Sequence, residues 1–120
     1  MKYFVDTYAF MEIIKGNSHY LRYVEEELFT SIFNLFELYY NLLEDFGQEV
    51  AQKYFYEFYD LVLPLNDSDI FLASTIKLKY KKMHISYTDA LGYAISLQQQ
   101  MKFLTGDKEF EHLENVEFVK

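Results

Sequence analysis

Short apolar runs alternate with longer helical patterns along this sequence, and that alternation limits its possible folds more than any other feature. Strand-like runs occupy residues 2–5, 28–30, 61–65, 103–105 and 116–119. Helical spacing of apolar residues predicts helices over 7–15, 18–27, 31–45, 48–60, 66–80 and 87–101. Strands separated by helices of this length predict an α/β fold whose mainly parallel sheet is covered on both faces.

The chain reads as a single domain over residues 1–120. With four Gly and one Pro, it has no segment that resembles an interdomain linker, and with no Cys it has neither disulfides nor a thiol nucleophile. The first apolar run stops at Asp6, and the most apolar segment, 32–43, is interrupted by Asn34, Glu37 and Asn41. The first run is too short for a signal peptide, and neither segment is long enough to span a membrane, so we expect a cytoplasmic protein that does not contact a membrane.

The charge balance argues at first against a nucleic-acid partner. The chain has 19 acidic residues against 11 basic ones, a net charge of -8, whereas proteins that bind nucleic acid by bulk charge are usually basic. A content of 51% hydrophobic and 20% aromatic residues excludes a disordered polymer. Most acids are predicted to be solvated, for example Glu25, Glu26, Glu27, Glu109, Glu111, Glu114 and Glu117.

Two acids directly follow predicted strands. Asp6 comes after the first strand, and Asp107 follows the strand at 103–105. The carboxyl ends of parallel strands form the edge of a sheet where ligand crevices lie. Each residue also has a purely local interpretation, because Asp6 can cap the next helix and Asp107 can form an Asx turn.

Two further acids lie in helical contexts. Glu37 lies in a helix that is apolar on almost every face. A buried carboxylate there is unfavourable unless it reaches a hydrogen-bonding partner, a metal or a cleft. Alternatively, Glu37 lies on an exposed polar stripe with Asn34 and Asn41. Asp89 completes a Ser86-x-x-acid capping pattern, and the small residues after it favour close packing of its helix. If these four acids converge, a divalent cation must neutralise them, and oxygen ligands favour Mg²⁺ or Mn²⁺.

At this point the chain resembles the PIN-domain ribonucleases, and among them the short toxins of prokaryotic toxin–antitoxin pairs (the VapC type). The resemblance rests on four motifs in order: Asp6-Thr7, Phe36-Glu37-Leu38, Asp89-Ala90-Leu91 with Ala94, and the run from Thr105 to Phe110 that contains Gly106 and Asp107. It implies an α/β/α sandwich with an acidic pocket for one or two Mg²⁺ or Mn²⁺ ions.

The resemblance also implies residue roles and partners. Asp6, Glu37, Asp89 and Asp107 match the family's acidic, metal-binding positions, and Thr105 matches its hydroxyl residue before the last acid. Asn34 departs from the usual Ser or Thr. The implied activity is hydrolysis of RNA phosphodiesters by metal-activated water. The implied partners are an antitoxin protein and a second copy of the chain.

Other functions stay open on the sequence. The chain could be a PIN-like domain that binds RNA or protein without catalysis. It could also be a nuclease that processes housekeeping RNA rather than a toxin. A haloacid-dehalogenase-like phosphatase is the weakest alternative, because its chemistry needs an Asp where Tyr8 stands.

Two surface features complete the prediction. Lys77, Lys79, Lys81 and Lys82 form the densest basic group, which suits either RNA backbone contact or the C-terminal end of a helix. The two middle helices carry nine Phe and Tyr residues, about half of which we expect in the core and the rest at a protein interface: Phe33, Phe36, Tyr39, Tyr40, Tyr54, Phe55, Tyr56, Phe58 and Tyr59.

Overall fold

Four short parallel strands form the centre of the computed structural model, which describes residues 1–120. The strands are β1 Lys2–Val5, β2 Glu27–Phe29, β3 Lys102–Thr105 and β4 Val116–Phe118, in the order β2-β1-β3-β4. The helices are α1 Thr7–Lys15, α2 Ile32–Phe46, α3 Gln48–Phe58, α4 Asp67–Lys79 and α5 Tyr87–Gln98. Short 3₁₀ turns cover Ser18–Tyr23, Tyr59–Leu61, Lys81–Met83 and Lys108–Phe110. The predicted α/β sandwich with a parallel sheet is confirmed.

Alternating side chains of β1 divide the core between the two faces of the sheet. Tyr3 and Val5 pack into the cluster beneath α1, α2 and α3, whereas Phe4 packs into the cluster beneath α4 and α5. This period of two is the geometry of a buried strand. A Cβ added to Gly92 would lie 2.6 Å from the Phe4 ring, so the small residues of α5 do allow the close packing that was predicted.

The predicted strand at 61–65 is wrong. Val62 forms only an isolated parallel bridge with Thr30, with hydrogen bonds from Thr30 N to Leu61 O (3.0 Å) and from Leu63 N to Thr30 O (2.9 Å). Pro64 then follows and has no N–H to extend the ladder. The run resembles a strand because Leu61 and Val62 pack against one core cluster and Leu63 and Leu65 pack against the other.

Other boundaries also differ from the prediction. The segment after Gly16 is a 3₁₀ turn rather than a helix to Glu27. Its cap is Asn17 rather than the predicted Ser18, because the Asn17 side chain accepts a hydrogen bond from His19 N (3.0 Å). The last helix ends at Gln98 rather than 101, before Gln100 adopts a positive φ of 57°. No helix combines the length and apolarity needed to cross a bilayer.

Candidate metal centre

The acidic residues predicted from strand ends gather at the carboxyl edge of the sheet. Asp6 follows β1 and Asp107 follows β3, and these two strands are neighbours. Asp89 lies in the first turn of α5, which packs on both strands. Three carboxylate oxygens, one each from Asp89, Asp107 and Glu109, lie within 4.8 Å of one another. The edge therefore holds a convergent acidic cluster.

Asp6 is the most buried of these acids, with 2% of its surface exposed. Its Oδ1 accepts from Ala9 N at 2.8 Å, so it caps α1 as the local interpretation predicted. Its Oδ2 accepts a short hydrogen bond from the Thr105 hydroxyl, and that hydroxyl also accepts from Asp107 N at 3.0 Å. Capping and site formation are thus compatible, because one carboxylate does both.

Thr105 links the two strand ends rather than facing solvent. It is fully buried, and its hydroxyl is engaged by Asp6 on one side and by Asp107 N on the other. A substrate does not reach such a side chain. Its place is that of a positioning residue that fixes Asp6 relative to the loop after β3.

Glu37 lies at the side of the cluster and is held by a chain of polar side chains. The Thr7 hydroxyl donates to Glu37 Oε1 at 2.7 Å, and Asn34 Nδ2 donates to that hydroxyl at 3.2 Å. The Ser31 hydroxyl in turn donates to Asn34 Oδ1 at 2.7 Å. Asn34 is completely buried, so this network fixes the position of Glu37 from inside the protein.

Electrostatics couple the acids across the edge. Burial, reinforced by the negative charges of Asp89 and Asp107, raises the pKa of Asp6 to about 8. Burial, reinforced by the charges of Asp107, Glu37 and Glu109, raises the pKa of Asp89 to about 7. A divalent cation among these carboxyl groups would favour their ionised forms and so oppose these shifts. An all-oxygen donor set suits a hard divalent ion, so the residues present fit Mg²⁺ or Mn²⁺.

The cluster also contains Glu109, an acid that the sequence predicts to be solvated. Glu109 is exposed, as predicted, yet its carboxylate lies with those of Asp89 and Asp107. The reason is local: Asp107 Oδ1 accepts from Glu109 N at 3.1 Å, and the 3₁₀ turn at Lys108–Phe110 folds Glu109 back. The acid-x-acid spacing directly after a strand was the signal available in the sequence.

The basic group divides into two kinds of lysine. Lys77 is half-buried, donates to Ile85 O at 2.5 Å and lies 4.4 Å from the Tyr87 ring centroid. Lys79 lies over the Tyr80 ring, and Lys81 and Lys82 are exposed. Lys77 is therefore fixed by the protein, and Lys81 and Lys82 are the members most free to meet a phosphate backbone.

The nine aromatic residues of the middle helices divide about as predicted. Four pack against the core, namely Tyr39, Tyr54, Phe55 and Phe58. The other five are largely exposed, namely Phe33, Phe36, Tyr40, Tyr56 and Tyr59. Exposed rings concentrated on two helices are typical of a surface that another molecule covers.

Comparison with known proteins agrees with the fold. The sequence model of the PIN domain matches residues 3–116. Among proteins with curated descriptions, no sequence matches this chain.

Three solved structures illustrate the likeness of fold. The VapBC-1 structure from nontypeable Haemophilus influenzae superposes with a TM-score of 0.77 at 18% identity, covering 100% of this chain and 98% of that one. VapC20 of Mycobacterium tuberculosis, described as a sarcin–ricin loop cleaving toxin, gives 0.77 at 18% identity over 98% and 96%. VapBC2 of Rickettsia felis, bound to a DNA fragment from its promoter, gives 0.73 at 19% identity over 99% and 98%.

Proposed function

This chain belongs to the PIN domain family, and on that premise we propose that it is a metal-dependent endoribonuclease, the toxin of a toxin–antitoxin pair. The observation that carries the proposal is the convergence of Asp89, Asp107 and Glu109 within 4.8 Å, beside a buried Asp6 whose pKa is raised to about 8. A site that concentrates negative charge in this way is built to be neutralised by a cation.

Asp89 and Asp107 would hold one divalent ion, with Glu109 at its exposed side and Asp6 contacting it directly or through water. A second ion would lie toward Glu37. Bound there, Mg²⁺ or Mn²⁺ supplies charge neutralisation of the phosphate and lowers the pKa of water, the chemistry of metal-assisted phosphodiester hydrolysis.

The chain's own residues prepare this chemistry. Asp6 and Asp89 must release their protons before they can bind an ion, and the raised pKa of each makes that release dependent on pH near neutrality. Thr7 occupies only one oxygen of Glu37, which leaves Oε2 to orient water at the edge of the cluster. Thr105 keeps Asp6 and the Asp107 loop in register.

The partners follow from the surface and the charge. We propose that exposed rings on α2, including Phe36 (69% exposed) and Tyr40 (58% exposed), bind the antitoxin and support a homodimer. A solved toxin–antitoxin complex from Klebsiella pneumoniae also contains a chain of similar fold, which supports a protein partner here. A net charge of -8 favours a partner with a basic segment.

The decisive experiment is cleavage of single-stranded RNA in Mg²⁺ or Mn²⁺. We expect Asp6→Asn and Asp89→Asn each to reduce the rate by about 100-fold or more, because losing the ion's charge stabilisation costs several kcal/mol in the transition state. Glu26→Gln removes an exposed acid far from the edge and is the matched control. Circular dichroism confirms that each variant is folded.

Three results would contradict the proposal. Cleavage that survives both substitutions, or an excess of EDTA, excludes the metal mechanism. RNA or partner binding without any turnover supports the binding-module alternative, and a nuclease with no antitoxin frame beside its own supports housekeeping RNA processing.

A further inference from the structure

A small pocket lies between α2, α4 and α5 beside the acidic cluster. Its volume is about 270 Å³, and its mostly apolar lining includes Phe33 of α2, Ile70 and Lys77 of α4, and Tyr87 and Thr88 of α5. Pockets that hold drug-sized ligands measure about 300–1,000 Å³. This pocket therefore suits a smaller, flat and mainly apolar group.

The pocket and the acidic cluster share two of their supporting elements. Thr88 and Ala90 line the pocket and flank Asp89 in the chain. Phe33 precedes Glu37 by four positions on α2, so the two side chains lie on the same helix face, about 5–6 Å apart between Cβ atoms. A base attached to a nucleotide whose phosphate lies at the acids is therefore within reach of the pocket.

The aromatic lining is held open to solvent. Tyr87 is 82% exposed and Phe33 is 45% exposed. The Lys77 ammonium, fixed by its hydrogen bond to Ile85 O, lies 4.4 Å from the Tyr87 ring centroid. This contact limits the movement of the ring before any ligand arrives, which reduces the entropy lost on binding.

We propose that this pocket binds one unstacked base of single-stranded RNA next to the cleaved phosphodiester, an inference that rests on the proposed nuclease function. Aromatic rings stack on the faces of unpaired bases, and the Thr88 hydroxyl in the lining offers a hydrogen bond to a base edge. Ser74 Oγ donates to Ile70 O at 2.9 Å, so it offers a base an acceptor only. The pocket thereby selects which nucleotide lies at the cut.

Size and charge favour a base over a protein segment. An α-helix with its side chains is about 10–12 Å in diameter and does not enter a pocket of 270 Å³. The Lys77 ammonium attracts the negative charge of a nucleic acid. An acidic site would attract a basic segment of a protein partner, and Lys77 repels such a segment. A nucleotide meets both conditions.

The test is binding of short fluorescein-labelled RNAs, followed by anisotropy, at low salt in Ca²⁺, an oxygen-binding cation that would neutralise the acids. A gel of the same samples checks that the RNA stays intact. Four homopolymers identify the preferred base, and the tightest is then compared with versions that carry one abasic ribonucleotide at each position in turn. We expect one abasic position to weaken binding to the wild type about five-fold or more. Tyr87→Ala should remove that difference, and Tyr87→Phe should preserve it.

Phe71→Ala is the matched control, since Phe71 is a 70% exposed aromatic residue on α4 outside the pocket lining. The proposal is overturned if wild-type protein does not distinguish intact from abasic RNA, or if Tyr87→Ala leaves the difference unchanged. It is also overturned if Tyr87→Ala spares RNA binding but weakens a complex with a protein partner, which would identify a protein-docking pocket.

Cleavage assays on the same RNAs separate this inference from the proposed function. Base-dependent binding through Tyr87 without cleavage in Mn²⁺ would reject the nuclease and retain the pocket. Cleavage with no effect of the abasic positions would retain the nuclease and reject the pocket.

Discussion

The run Glu25-Glu26-Glu27 and the acids at the carboxyl edge concentrate negative charge in opposite ways. The run is continuous in sequence, but all three residues are exposed, and Glu26 pairs with the N-terminal ammonium at 3.2 Å. The edge draws its acids from β1, α5 and the loop after β3, yet three of their carboxylates lie within 4.8 Å. The three consecutive carboxylates of the run are solvated, whereas the carboxylates of the edge lie close together because the sheet topology brings distant residues to one place.

The affinity for a divalent metal should differ most between the acids of the carboxyl edge and the Glu25–Glu27 run. The double variant Asp89→Asn/Asp107→Asn is expected to lower Mn²⁺ affinity by at least about 100-fold, since even indirect supports of a metal site are worth 10–100-fold. Replacing Glu25, Glu26 and Glu27 together by Gln removes more charge but should leave affinity nearly unchanged. Isothermal titration calorimetry with Mn²⁺ measures both. Equal losses in the two variants would mean that total charge, not convergence, attracts the ion.

The pH dependence of stability should show the second largest difference. Because the pKa of Asp6 is raised to about 8 and that of Asp89 to about 7, the folded state binds these protons more tightly than the unfolded state. Their contribution to the free energy of unfolding is therefore fully present near pH 4 and is lost as pH rises toward 8. Asn does not titrate, so Asp89→Asn should reduce the loss between pH 5 and 8.

Urea unfolding in EDTA measures this effect. The change for Asp89→Asn should be on the order of 1–2 kcal/mol after solvent screening. Glu26→Gln should follow the wild-type curve, and added Mn²⁺ should restore wild-type stability at pH 8 by binding the folded state. Parallel curves for wild type and Asp89→Asn would contradict the coupling of the edge acids.

A smaller effect is expected from the buried polar network. Asn34→Ala removes the donor to Thr7 and leaves the Ser31 hydroxyl without its acceptor, at a cost of about 1–3 kcal/mol in unfolding free energy. RNA cleavage should fall about 10-fold because Glu37 is no longer held. The control is Asn41→Ala, a half-buried Asn on the same helix. If cleavage by Asn34→Ala matches that control, Glu37 does not depend on the network.

The smallest effect should distinguish two neighbouring exposed acids. Glu109→Gln should weaken Mn²⁺ binding only about 2- to 5-fold, because an exposed carboxylate acts in a medium of high dielectric constant. Glu111→Gln, two positions on and outside the cluster, should have no effect. A Glu109→Gln loss as large as that of Asp89→Asn would place Glu109 among the principal ligands.

Local pattern was sufficient to predict most of the fold and part of the site. Apolar spacing predicts helices over 7–15 and 31–45, and the structure has them at Thr7–Lys15 and Ile32–Phe46, the second capped by Ser31. Strand ends indicated Asp6 and Asp107 because parallel topology brings such ends together. The apolar run at 61–65 misled because its side chains alternate between two cores while its backbone leaves the sheet.

What local pattern could not predict depends on contacts between distant residues. The network from Ser31 through Asn34 and Thr7 to Glu37 joins two helices. The position of Glu109 depends on a turn that exposes it while aiming it at Asp89. No spacing rule within one element encodes the network. The acid-x-acid spacing of Asp107 and Glu109 indicates two nearby acids after a strand, but it does not indicate that both lie close to Asp89.

The hydrogen bond between Thr105 and Asp6 can form only after most of the chain has been synthesised. The two residues are 99 positions apart, on adjacent strands, so β1 lacks one neighbour until β3 has been synthesised. At roughly 5–20 residues per second, translation takes about 5–20 s between the two. During that interval the nascent chain carries Asp6 without Asp107, and the edge has not formed. An acidic edge drawn from both ends of the chain therefore forms only after β3 has been synthesised.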